Sequence, residues 1–138
     1  MNIRMGFKSA LVFVFLSVLL CSHGFSRTGL PLEMLISADE LRKMQVNNTR
    51  FVLLDARKQT AYDEGHIQGA IPVPRTDEAI GIFMRSYAKN TPVVAYCNRG
   101  CQASAVLIMK IKRLGFSNVK DMEEGIEVWR EKGYPVAR

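Results

Sequence analysis

Val93-Val94-Ala95-Tyr96-Cys97-Asn98-Arg99-Gly100-Cys101-Gln102-Ala103 is the stretch from which the fold can be read. Its first four residues are all apolar, the mark of a short strand buried on both faces. From Ala103 onward, Val106, Leu107, Ile111 and Leu114 recur at helical spacing, with Lys110, Lys112 and Arg113 in the last turn and Gly115 as the stop. With the helix beginning around Cys101 to Ala103, the intervening Asn98, Arg99 and Gly100 form a very short strand-to-helix loop. Such a loop turns backbone N–H groups inward toward the residue at the strand end, which here is Cys97. Those donors, the positive end of the helix dipole and the charge on Arg99 all favour an anion, so Cys97 is expected to ionise more readily than a free cysteine, whose pKa is about 8.5. The thiolate is the nucleophilic form. Gly100 supplies the backbone freedom that so tight a wrap needs. Spacing alone also allows an inert, buried cysteine at a strand end.

The rest of the chain arranges itself around this unit. Met34 to Ser37 reads as a short strand, and Ser37 with Glu40 three residues later reads as a capping box opening a helix through Leu41 and Met44. Phe51 to Leu54 is an apolar run ending in Asp55, a buried strand emptying into a loop. Ala61 to Glu64 gives one helical turn stopped by Gly65. Ala70 to Val73 is extended, and Pro72 and Pro74 keep it at an edge or an end. A helix over Thr76 to Tyr87 follows, with Thr76 as cap and Ile80, Phe83, Met84 and Tyr87 on one face. Asn118 to Asp121 gives a last strand, and Gly125 to Lys132 a last helix closed by Gly133 and Pro135. Strands alternating with helices predict an α/β domain with a mainly parallel sheet and helices on both faces. Ligands in such sheets bind at the carboxyl ends of strands.

Residues 1–26 read as a secretory signal peptide, removed by a cut near residues 24–26, which leaves 27–138 as a single domain. Arg4 and Lys8 give a positive start, Ala10 to Leu20 is apolar apart from Ser17, and Ser22, His23 and Gly24 supply the small residues of a cleavage site. That apolar core of eleven residues falls well short of the ~20 needed to cross a bilayer. Cys21 is not read as a lipid-modified N-terminus, because Val18, Leu19 and Leu20 lack the small residue expected just before it. Export to a periplasm or out of the cell is expected, with no membrane attachment afterwards. The mature chain carries 17 basic against 13 acidic residues. This mild basicity suits small anionic substrates, whereas the scatter of basic residues among acids argues against a nucleic-acid partner. Cys97 and Cys101 remain as the cysteines of a chain bound for an oxidising compartment, and His66 as its single histidine, so no metal site is predicted. The domain is expected to act as a monomer.

These residues resemble the rhodanese-homology family of sulfurtransferases. Asp55, Arg57, Gly65-His66-Ile67 and Gly69-Ala70-Ile71-Pro72 are similar to its N-terminal motif, and Tyr96-Cys97-Asn98-Arg99-Gly100 to its active-site loop. Gly115-Phe116, Gly125-Ile126, Trp129, Gly133 and Pro135-Val136 are similar to its C-terminal signature. The resemblance runs from about Met34 to Val136, with the motifs in family order. It implies a three-layer sandwich around a parallel five-stranded sheet. It also implies a catalytic cysteine that takes sulfane sulfur from a donor such as thiosulfate, holds it as a persulfide, and passes it to cyanide or a thiol. No cofactor is implied. Carried over residue by residue, Cys97 matches the sulfur carrier, Asn98, Arg99, Gly100, Cys101 and Gln102 match the loop that cradles the persulfide, and Asp55 and Arg57 match residues that shape the neighbouring loop. His66 and Trp129 are read as packing residues.

The chain departs from the family pattern in three places. Gln102 stands where the loop usually ends in arginine, which removes a fixed positive charge and should weaken binding of thiosulfate; Arg99 compensates only if its side chain turns inward. Ala61 stands where an acid is common, and Glu124 where the first of two glycines is common. Cys101 is the unusual residue. It is either a small apolar residue opening the helix, or a redox partner that attacks a persulfide on Cys97 and leaves a disulfide. A cysteine phosphatase would need arginine six positions after the cysteine, where Ala103 stands. A non-catalytic binding or regulatory module and a Cys97/Cys101 thiol-disulfide protein stay open as alternatives.

Overall fold

The computed structural model describes residues 27–74 and 76–138. The predicted signal segment at 1–26 lies outside them. Ser37 caps the first helix, α1 (Ala38–Val46), in a full capping box with Glu40. The apolar run that follows becomes β1 (Val52–Asp55), buried at every position. Next come α2 (Gln59–Glu64), β2 (His66–Ile67), β3 (Ile71–Pro72) and α3 (Asp77–Met84), the last capped by the Thr76 hydroxyl accepting from the Ala79 amide. β4 (Val93–Tyr96) is fully buried and leads to α4 (Ala103–Arg113); β5 (Val119–Met122), α5 (Gly125–Glu131) and β6 (Val136–Ala137) complete the chain. Among the described residues no helix is long and apolar enough to cross a membrane.

The strands assemble in the order β3-β1-β4-β5, all parallel. Each inner strand buries alternate residues on opposite faces. On one face Val52, Leu54, Val93, Ala95 and Val119 pack under Ile80 and Met84 of α3 and Leu107, Ile108 and Ile111 of α4. On the other, Leu53, Val94, Tyr96 and Met122 pack under Leu41 of α1 and Ile126 and Trp129 of α5. The predicted three layers are thus present. Pro72 sits on the edge strand, where its missing N–H leaves no gap in the ladder.

Three expectations need correction. The fifth strand, read at Met34 to Ser37, shrinks to a single bridge between Leu35 and Asp121, supplemented by the Ile36 amide donating to the Asp121 carbonyl at 3.0 Å. A 3-10 turn over Leu32–Met34 before it and the Ser37 cap after it leave no length for pairing. The third helix ends at Met84 rather than Tyr87, because the chain tightens into turns in which Ser86 and Tyr87 donate to Phe83 and Met84. A small second sheet, β2 antiparallel to β6, was not anticipated; it ties the C-terminus to His66 and Ile67.

Asp121 is the one acid whose place in this core runs against its chemistry. It is fully buried on the face that α4 covers, paired in register with Ala95. Neither carboxylate oxygen makes a hydrogen bond of ordinary geometry. Burial pushes this carboxyl up from the usual 3.8 to about 6, and the neighbouring Ser104 hydroxyl offsets only part of that. An acid whose folded pKa is raised binds its proton more tightly when folded, so its contribution is present below about 4 and is lost as pH rises through about 6. We predict that Asp121→Asn gains on the wild type by on the order of 2 kcal/mol between pH 4 and pH 7.5, measured by urea unfolding. A stability difference independent of pH would contradict it.

Candidate active site

The chain leaves β1 toward β3 and leaves β4 toward β5, in opposite directions along the sheet. Between the two carboxyl ends a crevice is unavoidable, and this is where parallel sheets bind ligands. Cys97 is the first residue past β4 and stands at that point. It is buried, with 3% of its surface exposed. A cavity of about 270 Å³ opens past the carboxyl ends of β1 and β3, lined among others by Ala56 and Arg57, Val73 and Pro74, and Ala103 and Lys110 of α4, with Cys97 itself not among its lining residues.

The loop after Cys97 is a tight turn in which the Cys101 amide donates to the Asn98 carbonyl at 3.0 Å, with Gly100 at φ +77°. A side chain at Gly100 would be strained there. Among the described residues the amides of Asn98, Gly100 and Gln102 find no acceptor. The Arg99 amide does: it donates to Oε2 of Glu127 at 2.7 Å. The Arg99 guanidinium meets Glu131, also on α5, at 2.8 Å, and both side chains are about half exposed. Arg99 therefore does not supply the inward charge considered from the sequence. Its charge is matched by Glu131 on the outer surface, so the absence of arginine at Gln102, which is exposed at the start of α4, goes uncompensated by it.

The loop rests on the start of α5. The Ile126 amide donates to the Cys97 carbonyl at 3.0 Å. Gly125, at φ +76°, lies so close that a Cβ there would sit 2.6 Å from the Asn98 carbonyl carbon and nearer still to the Arg99 nitrogen. Glu124, where the family often has glycine, adopts an ordinary helical conformation, and its carboxylate accepts from the Ala38 amide at 2.6 Å, capping α1.

Cys101 lies with its Cα 6.0 Å from that of Cys97, and the two sulfurs are joined in a disulfide. The Cys101 Sγ also accepts from the Ala103 amide at 3.4 Å, in the first turn of α4. Cys101 is half-buried, so it is the less buried residue of the pair.

Asp55 and Arg57 stand beneath the crevice. The Asp55 carboxylate accepts from the Arg57 amide at 2.9 Å, from its Nε at 3.0 Å and from its terminal nitrogen at 2.6 Å. That guanidinium also donates to the Gly65 carbonyl at 2.8 Å. The Tyr96 hydroxyl donates to Asp55 at 2.6 Å and accepts from the Ile67 amide at 3.1 Å. Burial first, and then the Asp55 charge, push the Tyr96 hydroxyl far up. For Arg57 burial works against the charge, but the bonds to Asp55 outweigh it and the net shift is upward. The network joins β1, β2, β4 and the α2–β2 turn. His66 stacks on Tyr62 at 3.7 Å, its Nδ1 3.0 Å from the Tyr62 carbonyl, and Trp129 is fully buried with its Nε1 donating to the Pro135 carbonyl at 2.9 Å.

Two participants were missed in the sequence. In the sequence Tyr96 ends the strand and opens the loop motif, with no role for its hydroxyl, although its register opposite Asp55 makes that hydroxyl the natural partner of the acid. Glu127 carried one faint signal, an acid in the first turn of a helix, where the dipole favours it.

A model of the rhodanese-like domain matches residues 37–132, and the chain belongs to that family. It is similar to the thiosulfate sulfurtransferase GlpE of Pseudomonas fluorescens, 33% identical over 57% of this chain and 70% of that protein. It is also similar to the probable adenylyltransferase/sulfurtransferase MoeZ of Mycobacterium tuberculosis, 28% identical over 72% of this chain; the chain spans only 25% of that relative's length. The crystal structure of BH2092 from Bacillus halodurans superposes with a TM-score of 0.67 at 25% identity, over 77% of each chain. The rhodanese-like domain of Alr3790 from Anabaena gives 0.65 at 25% identity, over 77% of this chain and 80% of that one.

Two substitutions probe the site's supports. Gly125→Ala cannot be accommodated without moving the loop after Cys97 off α5, and is predicted to lower stability by about 2 kcal/mol or more in urea unfolding. Arg57→Met strands a buried carboxylate and is predicted to cost about 3–5 kcal/mol by the same measurement.

Proposed function

We propose that the protein is a sulfurtransferase whose sulfur carrier is Cys97. The observation that carries this reading is the position of Cys97, at the tip of an inner strand in a loop with three unclaimed backbone amides, on a chain of the rhodanese-like family. The reduced Cys97 thiolate attacks the outer sulfur of thiosulfate. The donor's S–S bond breaks, sulfite departs with the electron pair, and a persulfide is left on Cys97. Cyanide or a thiolate then attacks the outer persulfide sulfur, and the Cys97 thiolate leaves, ready for another cycle. The amides of Asn98, Gly100 and Gln102 supply fixed dipoles for the negative outer sulfur, costing no reorganisation during transfer. None of these steps calls for a metal or an organic cofactor.

The partners in this reading are a small anionic sulfur donor and a thiol or cyanide acceptor. Export by the segment at 1–26 belongs to the same proposal, supported by its charged-then-apolar sequence and by a disulfide, a bond favoured in oxidising compartments. The competing reading, a binding module without turnover, is separated by thiocyanate formation from thiosulfate and cyanide on protein first reduced by a dithiol. Turnover in the wild type that falls to background in Cys97→Ser supports the sulfurtransferase; equal background rates in both favour the module. Gln102→Arg restores a positive charge at the exposed mouth of the site. It is predicted to raise kcat/KM for thiosulfate about two- to fivefold, the size of an exposed charge interaction, and less in high salt.

A further inference from the structure

From the pairing of the two cysteines we infer that Cys101 is the resolving nucleophile of a second reaction, in which the sulfur carried by Cys97 is released as hydrosulfide and the protein is left as the Cys97–Cys101 disulfide. The inference rests on the sulfurtransferase reading and adds to it an acceptor within the chain. Three observations carry it. The Cys101 and Cys97 sulfurs are joined in the structure, with the two Cα atoms 6.0 Å apart, so the loop has a conformation that brings them into bonding contact. The Cys101 sulfur accepts the Ala103 amide at the start of an eleven-residue helix, so a thiolate on Cys101 has its own donor and a favourable dipole. Cys101 is also the less buried residue of the pair, half-buried where Cys97 is 3% exposed.

The chemistry balances without an outside oxidant. The Cys101 thiolate attacks Sγ of persulfidated Cys97, the Cys97–sulfur bond breaks, and the outer sulfur leaves with the bonding electrons and takes up a proton as hydrosulfide. The two thiols are oxidised to a disulfide and the sulfane sulfur is reduced. Holding both sulfurs in one turn makes the step intramolecular, which gives it a large advantage over a dilute external thiol. A dithiol reductant then closes the cycle. Its thiolate attacks the sulfur of Cys101, the less buried residue, Cys97 leaves as the thiolate among the loop amides, and the reductant's second thiol frees Cys101. Across one cycle thiosulfate and a dithiol become sulfite, hydrosulfide and a disulfide, so the activity is dithiol-dependent reduction of sulfane sulfur.

The test loads reduced, reductant-free full-length protein with thiosulfate and follows intact mass and released hydrosulfide together. Wild type, Cys101→Ser and Cys101→Ala are compared, serine keeping the size of cysteine without its sulfur and alanine controlling for any effect of the new hydroxyl. The expected result is that both variants hold one added sulfur about tenfold longer than the wild type or more. The wild type should instead fall to the mass of the disulfide form, two hydrogens below the reduced protein, releasing one hydrosulfide per chain. A wild type that holds its persulfide as long as the variants and releases no hydrosulfide overturns the role of Cys101 and leaves the sulfurtransferase intact. If no form gains sulfur, both fall.

Discussion

The loop that carries Cys97 depends on how closely α5 can approach it. At Gly125 the helix begins with its backbone almost touching the carbon of Asn98 and the nitrogen of Arg99, a separation no side chain tolerates. That approach lets the Ile126 amide reach the Cys97 carbonyl and the Glu127 carboxylate reach the Arg99 amide. Two peptide units of a four-residue turn are thereby fixed from outside the turn. With Arg99 held toward α5, the neighbouring amides of Asn98, Gly100 and Gln102 are the donors left over for a ligand. The buried start of α5 thus decides which loop donors are taken up within the protein and which are left over.

Below this contact the site stands on buried polar groups that hold one another. Asp55 closes β1, and its register opposite Tyr96 sets a carboxylate beside a phenol at the carboxyl end of the sheet. Arg57 then joins both to the Gly65 carbonyl, and Tyr96 anchors the Ile67 amide. Such a set is stable only when complete, because each member left alone would be an unpaired polar group in a dry interior. Asp121 shows the contrary case. Its carboxyl finds no such company, and burial is answered by a raised affinity for a proton.

Much of this could be read from residues in order. The α/β alternation, the short loop after Tyr96, the capping box at Ser37 and the edge position of Pro72 all follow from local periodicity and backbone chemistry, which act within a few residues. What escaped was set by distance along the chain. Glu127 lies twenty-eight positions from the amide it holds, and Tyr96 forty-one from Asp55, pairings that exist only once strand register is fixed. The Arg99 side chain illustrates the same limit: from the sequence it faces the site or solvent equally well, and only Glu131, thirty-two positions along the chain, draws it outward. The reduced fifth strand has a simpler cause. A 3-10 turn and a helix cap compete for the same few residues, and local turn chemistry won.

The central claim is that Cys97, held by its loop, is where the transferred sulfur rests. The most direct measurement is a crystal structure of the dithiol-reduced Cys101→Ser protein soaked with thiosulfate, in which resolution of the persulfide is blocked. The account predicts one extra sulfur bonded to Cys97 Sγ and within hydrogen-bond reach of the amides of Asn98, Gly100 or Gln102. An unmodified Cys97 in that crystal, or an added sulfur turned away from those amides, would contradict it.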